Sequence, residues 1–461
     1  MLNETLTFFG GVHTIGGVQI MFGSGEDGVI FDFGVPVNRW GLFNRAVNPV
    51  FDRALKTYLL SRMAPPIFSL YDEKYIDGIS QNDISLLWNN KEFPEYKNMS
   101  IFVSHIHQDH MALLPYLKED INVYMNNDSH SIYRAVVESG EYYDTKAKLN
   151  GILDGGTVDL GDIELRVLEM EHGVPGASGV MLSSDKYKIA YTGDWRKHGY
   201  HPDRIEKFIE VCKNDSLDIL ITEGTALWPN SIFKTPSIWS ETDIAEKFDD
   251  LLSNSSELVY LNILARNVER TIDFIKISSD NNRLFVMDNS TVRLLVESIN
   301  NGLTVIEGNP LDAYADTIRI LDLENDMRNI PFETIDVSEI VSRKEDFVVF
   351  LTYQQLPLMI EFERLGNKNG SSQYFHADGD PLNGSDPILK RWIKEFDLNY
   401  HYYSTGGHAR PHEIKNLVES INPRVVIPLH SNNPTLLYTG NSVEKYYPAY
   451  GEIIQLDQFF T

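Results

Sequence analysis

Apolar residues along this chain gather in short runs, most of them closed by glycine, aspartate or histidine. Runs of that length predict buried strands. Residues 5–34 predict two strands around a glycine-rich turn, LTFFGGVHTIGGVQIMF and then GVIFDFG, with Val29-Ile30-Phe31 halting at Asp32. Ile101-Phe102-Val103 predicts another strand, and Met111, Leu113, Leu114 and Leu117 then recur at helical spacing. INVYM predicts a strand and DSHSIYRAVVESG a helix. GTVDLGDIELRVLEMEHG predicts a strand pair ending at His172, KIAYTGDW a strand before Asp194, and VVIPLHS a strand before His430. Between Asp194 and His430 the pattern alternates. LDILITEG is a strand ending at Glu223, ELVYLNIL a strand, ARNVERTIDFIKI a helix, RLFVMD a strand, STVRLLVESINN a helix and DFVVFLT a strand; YQQLPLMIEFERLG is a loop and helix. Strand–helix alternation implies an α/β fold with a mostly parallel sheet. Domains are typically about 100–200 residues, so two or three are expected. The predicted spans are 1–202, an inserted unit over 203–398, and a return segment over 399–461 that completes the first.

Residues 35–99 break the alternation. They are rich in aromatics: Trp40, Phe43, Phe51, Tyr58, Phe68, Tyr71, Tyr75 and Trp88. VNPVFDRALKTYLLSRM has helical periodicity ended by Pro65-Pro66. NDISLLWNN is a short helix capped by Asn82 or Asp83. The segment reads as a packed helical elaboration; the alternative is a lid that stacks bases on its aromatics.

Composition narrows the class. Hydrophobic residues make up 42% of 461, enough for a sizeable core. The single cysteine, Cys212, excludes an internal disulfide framework and cysteine-cluster zinc. MLNETLTFFGG has no basic leader, and no window approaches the roughly 18–20 apolar residues of a membrane span. A soluble, cytoplasmic protein is expected, which makes the Asn-x-Ser/Thr triplets at Asn98 and Asn254 accidents of composition. The net charge of −26 argues against a protein that coats nucleic acid with a basic surface. It leaves room for an enzyme that holds phosphate between cations, because bound divalent ions invert the local electrostatics.

The chemistry concentrates in HIHQDH. His105, His107, Asp109 and His110 put four metal-capable side chains into six residues on a strand-to-helix turn. Imidazoles and a carboxylate suit zinc and its neighbours. Two metals fit the ligand count: His105, His107 and His172 for the first, Asp109, His110 and His430 for the second, with Asp194 bridging. A paired site can deprotonate a water held between two cations and clamp two phosphate oxygens, so the nucleophile is a bridging hydroxide oriented by Asp109. Asp32 would accept a hydrogen bond from a liganding histidine and fix its tautomer. His408 suits a general acid or a donor to phosphoryl oxygens, with Gly406 and Gly407 leaving room for close approach. Ser178, Ser404 and Arg410 are candidate phosphate contacts. His13 reads as structural or as support behind a ligand. His198, His201 and His412 match no motif and read as surface residues.

HIHQDH, His172, Asp194 in TGDW, and His430 resemble the ordered motifs of the metallo-β-lactamase fold hydrolases. The resemblance implies an αββα sandwich with a dinuclear site at one edge, holding Zn2+ or Mn2+. An insert between the fourth and fifth motifs resembles the β-CASP branch, which includes ribonuclease J and the cleavage factor of messenger RNA 3′ processing. Glu223 in ITEGT matches that branch's first acidic motif. NILARNVERT is similar to the ribonuclease J segment Ser-Asn-x-His-Arg, with Asn267 and Arg270 in place and Glu269 where the histidine belongs. LTYQQLPLM resembles the Thr-Gly-Ser-Gln-Gly-Glu-Pro-Met stretch at Thr352, Gln355 and Pro357. STGGHA, with His408, is similar to the motif whose histidine goes with RNA and whose valine goes with DNA. Ser431-Asn432 stands where the family has Gly-Glu.

The resemblance implies a metal-dependent ribonuclease acting on single-stranded RNA. Its implied catalytic set is Asp109, His408, Asp32 and Glu223, and its substrate contacts are Ser178, Asn267, Arg270, Ser404, Gly406 and Gly407. A lactonase or thioesterase on the same scaffold, and a DNA-directed nuclease, are the alternatives. Only 31 residues follow His430, so the extra C-terminal domain of typical ribonuclease J, with its dimer contacts, is expected to be missing; a homodimer stays open.

Overall fold

The computed structural model describes residues 4–36, 42–43, 47–229, 239–321, 330–365, 370–382, 384–440 and 443–460. The fold is mixed α/β, built on three seven-stranded sheets. The first runs Ile453–Gln455, Thr5–Gly10, Gln19–Ser24, Asp27–Phe31, Asn98–Val103, Asn122–Asn126, Lys148–Ile152. The second runs Glu444–Lys445, Val425–Leu429, Ile219–Glu223, Lys188–Tyr191, Ser178–Ser183, Glu164–Glu169, Thr157–Asp159. The third, parallel throughout, runs Glu333–Ile335, Ile318–Leu321, Leu284–Asp288, Phe347–Phe350, Val259–Ile263, Gln373–Ala377, Asn399–Tyr403.

The two-residue side-chain period of a strand explains why the runs are apolar throughout. In the first sheet Phe8, Ile20, Phe22, Val29, Phe31 and Phe102 point to one core, which they share with Val180, Leu182, Ile189, Ile221 and Ile427 of the second. Their neighbours Met21, Ile30, Ile101 and Val103 point the opposite way, into a core that extends to Val259, Leu261, Phe285 and Phe375 of the third sheet. Met181, Ala190, Leu220 and Val426 face the helices Asp203–Asp215 and Pro411–Ile421. Strands buried on both faces cannot alternate with polar residues.

Several elements depart from the expected ones. Residues 5–34 form three strands, because a tight turn at Ser24–Asp27 splits the second run. Ile219–Glu223 lies in the second sheet, between Lys188–Tyr191 and Val425–Leu429, and Asn399–Tyr403 closes the third. The span 203–398 therefore does not coincide with the third sheet, whose first strand begins at Val259. The apolar run before Glu223 needs parallel partners on both edges, and chain order does not say which strands supply them. After HIHQDH the expected helix is a single turn, Gln108–Met111, followed by a 3₁₀ turn at Leu114–Tyr116 that contains Pro115.

The insert packs into the core that includes Leu55, Leu59, Tyr71, Tyr75 and Trp88. Its first helix, Phe51–Leu60, stops before the prolines, at Arg62 in the left-handed region. Its second, Gln81–Leu87, is capped by Ser80 rather than Asn82 or Asp83; Asp83 closes the capping box from inside. Trp40 lies outside the described residues. No helix among the described residues is long and apolar enough to cross a membrane.

Candidate metal centre

Parallel pairing brings the carboxyl ends of the strands to shared rims. Asp27–Phe31 and Asn98–Val103 lie side by side in the first sheet, so Asp32 and the start of HIHQDH emerge together. Lys188–Tyr191, Ile219–Glu223 and Val425–Leu429 are adjacent in the second, so Asp194, Glu223 and His430 emerge together. The glycine-rich turn braces the motif: the Gly17 N–H donates to the Asp109 carbonyl at 3.0 Å, and the His430 N–H donates to the Gly11 carbonyl at 2.8 Å. Gly34 admits no side chain, since a Cβ there would sit 1.7 Å from the Asp109 carbonyl oxygen. Asp32 and His430 both hold φ near +50 to +57°, strained for non-glycine residues and typical of functional sites.

The expected ligands converge. His105 Nε2 and His172 Nε2 lie 3.0 and 3.2 Å from His107 Nδ1. Zinc–nitrogen bonds of about 2.0–2.1 Å at tetrahedral angles set ligand nitrogens roughly 3.3 Å apart, so this spacing suits one ion. Asp109 Oδ2 lies 3.2 Å from His430 Nε2 and 3.6 Å from His110 Nε2. Asp194 Oδ2 sits between the two sets, 3.2 Å from His110 Nε2, 3.7 Å from His430 Nε2 and 3.9 Å from His105 Nε2.

On four of these histidines the nitrogen that faces away from the centre is engaged. His105 Nδ1 donates to Ser104 Oγ at 3.0 Å, His110 Nδ1 to Asp32 Oδ2 at 2.7 Å, His172 Nδ1 to the Gly407 carbonyl at 2.6 Å, and His430 Nδ1 to Thr225 Oγ1 at 2.6 Å. In a neutral ring each such bond fixes the tautomer whose lone pair points inward. Inside, His110 Nε2 and Asp194 Oδ1 are buried with no hydrogen-bond partner among the described residues. Buried polar atoms in that state cost about 1–3 kcal/mol each, and a cation beside them removes the cost. The donor set and its orphaned atoms fit divalent metal ions.

Electrostatics follow from burial and neighbours. Burial holds His105 and His172 well below the usual imidazole range, and nearby imidazoles add to it. Burial also takes His107 down to about 4, with Asp109 opposing. These three imidazoles are neutral at neutral pH. Burial opposes charge on His110 and His408 as well, but carboxylates outweigh it. Asp194, Asp109 and Asp32 raise His110 well above its ordinary value. Glu223 and Asp194 raise His408 to about 9. Asp194 is itself held well below the carboxylate range, because His430 and His110 overcome its desolvation.

Known proteins resemble this chain in sequence and fold. Ribonuclease J from Mycoplasma genitalium is 21% identical over 395 residues, covering 78% of this chain and 64% of that protein. Ribonuclease J from Pyrococcus abyssi is 20% identical over 374 residues, covering 76% of this chain and 78% of that one. Over most of its length the chain is thus similar to proteins named ribonuclease J, at low identity. Ribonuclease J 2 from Streptococcus pyogenes is 26% identical over 182 residues, 32% of its length. The chain thus spans less than two thirds of the Mycoplasma and streptococcal proteins. A crystal structure of a protein of unknown function from Enterococcus faecalis V583 shares the fold, with TM-score 0.77 at 23% identity over 98% of this chain and 99% of that one. No family model matches.

The other residues carried over from the ribonuclease J-like pattern lie in two places. His408 joins the centre, its Nδ1 3.6 Å from Asp194 Oδ2 and 3.4 Å from Glu223 Oε1. Glu223 also accepts the N–H groups of Ala409 and Thr225, so it anchors the segment carrying His408. Asp32 is fully buried and accepts from His110, the Ser104 N–H and hydroxyl, and Tyr191 Oη. Four expected substrate contacts are placed otherwise. Ser178 is buried, and its hydroxyl donates to the Ser104 carbonyl. Asn267 caps the helix Val268–Asp280. The Arg270 guanidinium, 1% exposed, is enclosed by Glu241 and Asp378. Ser404 Oγ donates to Asp378.

Glu269, in place of the family's histidine, pairs with His201 at 2.7 Å, and that hydrogen bond raises the His201 pKa. His198 is buried against the Gly406 carbonyl rather than on the surface, whereas His13 is exposed. Ser104, Thr225 and Tyr191 were not foreseeable as partners. Small hydroxyl residues carry no pattern, and only their distance to a ring nitrogen reveals them.

Proposed function

We propose that this protein is a metal-dependent ribonuclease with an αββα metallo-β-lactamase sandwich and an inserted β-CASP unit, acting on single-stranded RNA. The observation that carries the proposal is an unbroken ligand set at one rim in a chain similar to ribonucleases J over three-quarters of its length. His105, His107 and His172 would hold one divalent ion, and Asp109, His110 and His430 a second, with Asp194 shared; Zn2+ fits first and Mn2+ second. Bound there, two such ions supply an activated water and charge stabilisation for a phosphodiester. Asp109, whose Oδ2 faces His430 and His110, would orient that water. Asp32 keeps the His110 proton on Nδ1. His408, beside Asp194 and Glu223, is placed to give a proton to the leaving oxygen, and Glu223 keeps the ring in place.

A cleft of about 400 Å³ opens beside Gln108, between the motif and the third sheet. Its lining includes Glu141, Asn262, Thr352, Gln354 and Asp380 and, among the described residues, neither lysine nor arginine. Attraction of phosphate then falls to the cations of the centre. The same lining favours the second reading, hydrolysis of a small neutral lactone or thioester.

Incubation of 5′- and 3′-labelled single-stranded RNA with the zinc- or manganese-loaded protein tests the proposal. Cleavage that disappears on chelation and in Asp109→Ala is expected. Uncut RNA alongside lactone hydrolysis that Asp109→Ala abolishes would sink it.

A further inference from the structure

Two ends of the metal centre are tied to one loop that comes from elsewhere. Residues 404–408 leave the edge strand of the third sheet. The Gly407 carbonyl accepts the His172 Nδ1 proton at 2.6 Å, and His408 follows it in the chain. Orientation of a metal ligand and of the proposed general acid therefore depends on where this loop lies.

Buried charges grip the loop. Asp378, just past the strand Gln373–Ala377, accepts from Ser404 Oγ at 2.5 Å, from the Thr405 N–H at 3.0 Å and from Thr405 Oγ1 at 2.6 Å. Thr405 Oγ1 in turn accepts from Arg196 at 2.8 Å and from Arg270 at 3.1 Å. Both guanidiniums converge on Glu241 Oε1, at 2.6 and 2.8 Å. Arg196 also binds Glu171, the residue before His172, and stands two residues after Asp194. Arg196, Arg270, Glu241 and Glu171 are each at most 2% exposed. Burying so many charges is costly unless every one is paired, and here each has a partner. A cluster placed only for stability has no reason to meet on one threonine hydroxyl between a metal ligand and an acid.

We propose that Arg196, Arg270 and Asp378 are positioning residues. Acting through Thr405, they hold the 404–408 loop so that the Gly407 carbonyl sets the His172 tautomer and His408 faces Asp194. Ser404 and Arg270 then serve the centre from behind and not by touching substrate. The inference rests on the dinuclear reading of the site, but its first test needs no RNA.

Thr405→Val removes the hydroxyl at almost constant shape, and Thr405→Ser keeps it. Zinc binding is measured by competition with a chelator, beside thermal unfolding and the separate kcat and KM values on single-stranded RNA. For Thr405→Val, affinity for one of two zinc ions falls about 10- to 100-fold, kcat falls with KM within twofold, and Thr405→Ser restores both. Asp378→Asn, if it folds, gives the same pattern. Unchanged zinc affinity in Thr405→Val overturns the proposal. So does a raised KM with unchanged kcat, which would mark a substrate contact, or a serine variant as impaired as the valine one. Zinc affinity that moves as expected in a protein that cuts no RNA would count against the ribonuclease reading and leave the positioning role standing.

Discussion

Replacing Asp32 by asparagine tests whether the centre depends on ring tautomers. Every partner of the Asp32 carboxylate donates: the Ser104 N–H to Oδ1 at 2.7 Å, and the Ser104 hydroxyl, His110 Nδ1 and Tyr191 Oη to Oδ2 at 2.9, 2.7 and 2.5 Å. An asparagine must turn its NH2 toward one side. Toward Ser104 it opposes a main-chain N–H that cannot rotate. Toward Oδ2 the two hydroxyls can rotate to accept, but His110 can accept only by moving its proton to Nε2, which removes the lone pair aimed at the centre. The first arrangement leaves buried donors unpaired, at about 1–3 kcal/mol. The second costs metal affinity, about 10- to 100-fold, or roughly 1.4–2.7 kcal/mol. Thermal unfolding of the metal-free protein reads the first and chelator competition reads the second. At least one must move by these amounts. An Asp32→Asn protein with native stability and zinc affinity within threefold of the original would refute the tautomer argument.

Three other outcomes are expected. His408→Gln should lower kcat on RNA by about 10²–10⁴-fold while zinc content stays at the native level, measured by single-turnover cleavage and elemental analysis. Glu241 governs acid stability: burial alone would raise its pKa, but Arg270 and Arg196 hold it down to about 2 from 4.5. A depressed carboxyl contributes stability that is present above pH 4.5 and lost as pH falls toward 2, here roughly 3 kcal/mol, so Glu241→Gln should flatten the drop in Tm across that window. Trp88, packed against Phe9, Phe93 and Tyr450, should cost about 3–5 kcal/mol on truncation to alanine without changing KM, as expected of a packed insert; a raised KM at native stability would mark it as a lid.

Much of the centre was legible in the sequence because its residues follow a local rule. A strand buried on both faces must be apolar, and the first polar residue after it emerges at the sheet's edge. Asp32 and His430 stand in that position, His105, Asp194 and Glu223 follow their apolar runs within three residues, and the motif density at His105–His110 needs no tertiary knowledge. The insert's packing was legible for a similar reason, since so many aromatics cannot stay in water. The reach of the helix after HIHQDH and the cap of the second insert helix were misjudged, because Pro115 and Ser80 act over one or two residues that periodicity averages out.

Sequence by itself determined which side chains can bind a cation and that most of them end strands. Only tertiary structure decided which strands are neighbours, and so that Ile219–Glu223 brings Glu223 beside His430 and that the edge strand Asn399–Tyr403 hands its loop to His172. It also turned Arg270 inward, onto Glu241. The physical reason is range. Apolar periodicity is a property of adjacent residues, whereas a hydrogen bond between His172 and Gly407 joins positions 235 apart, and no local pattern encodes it.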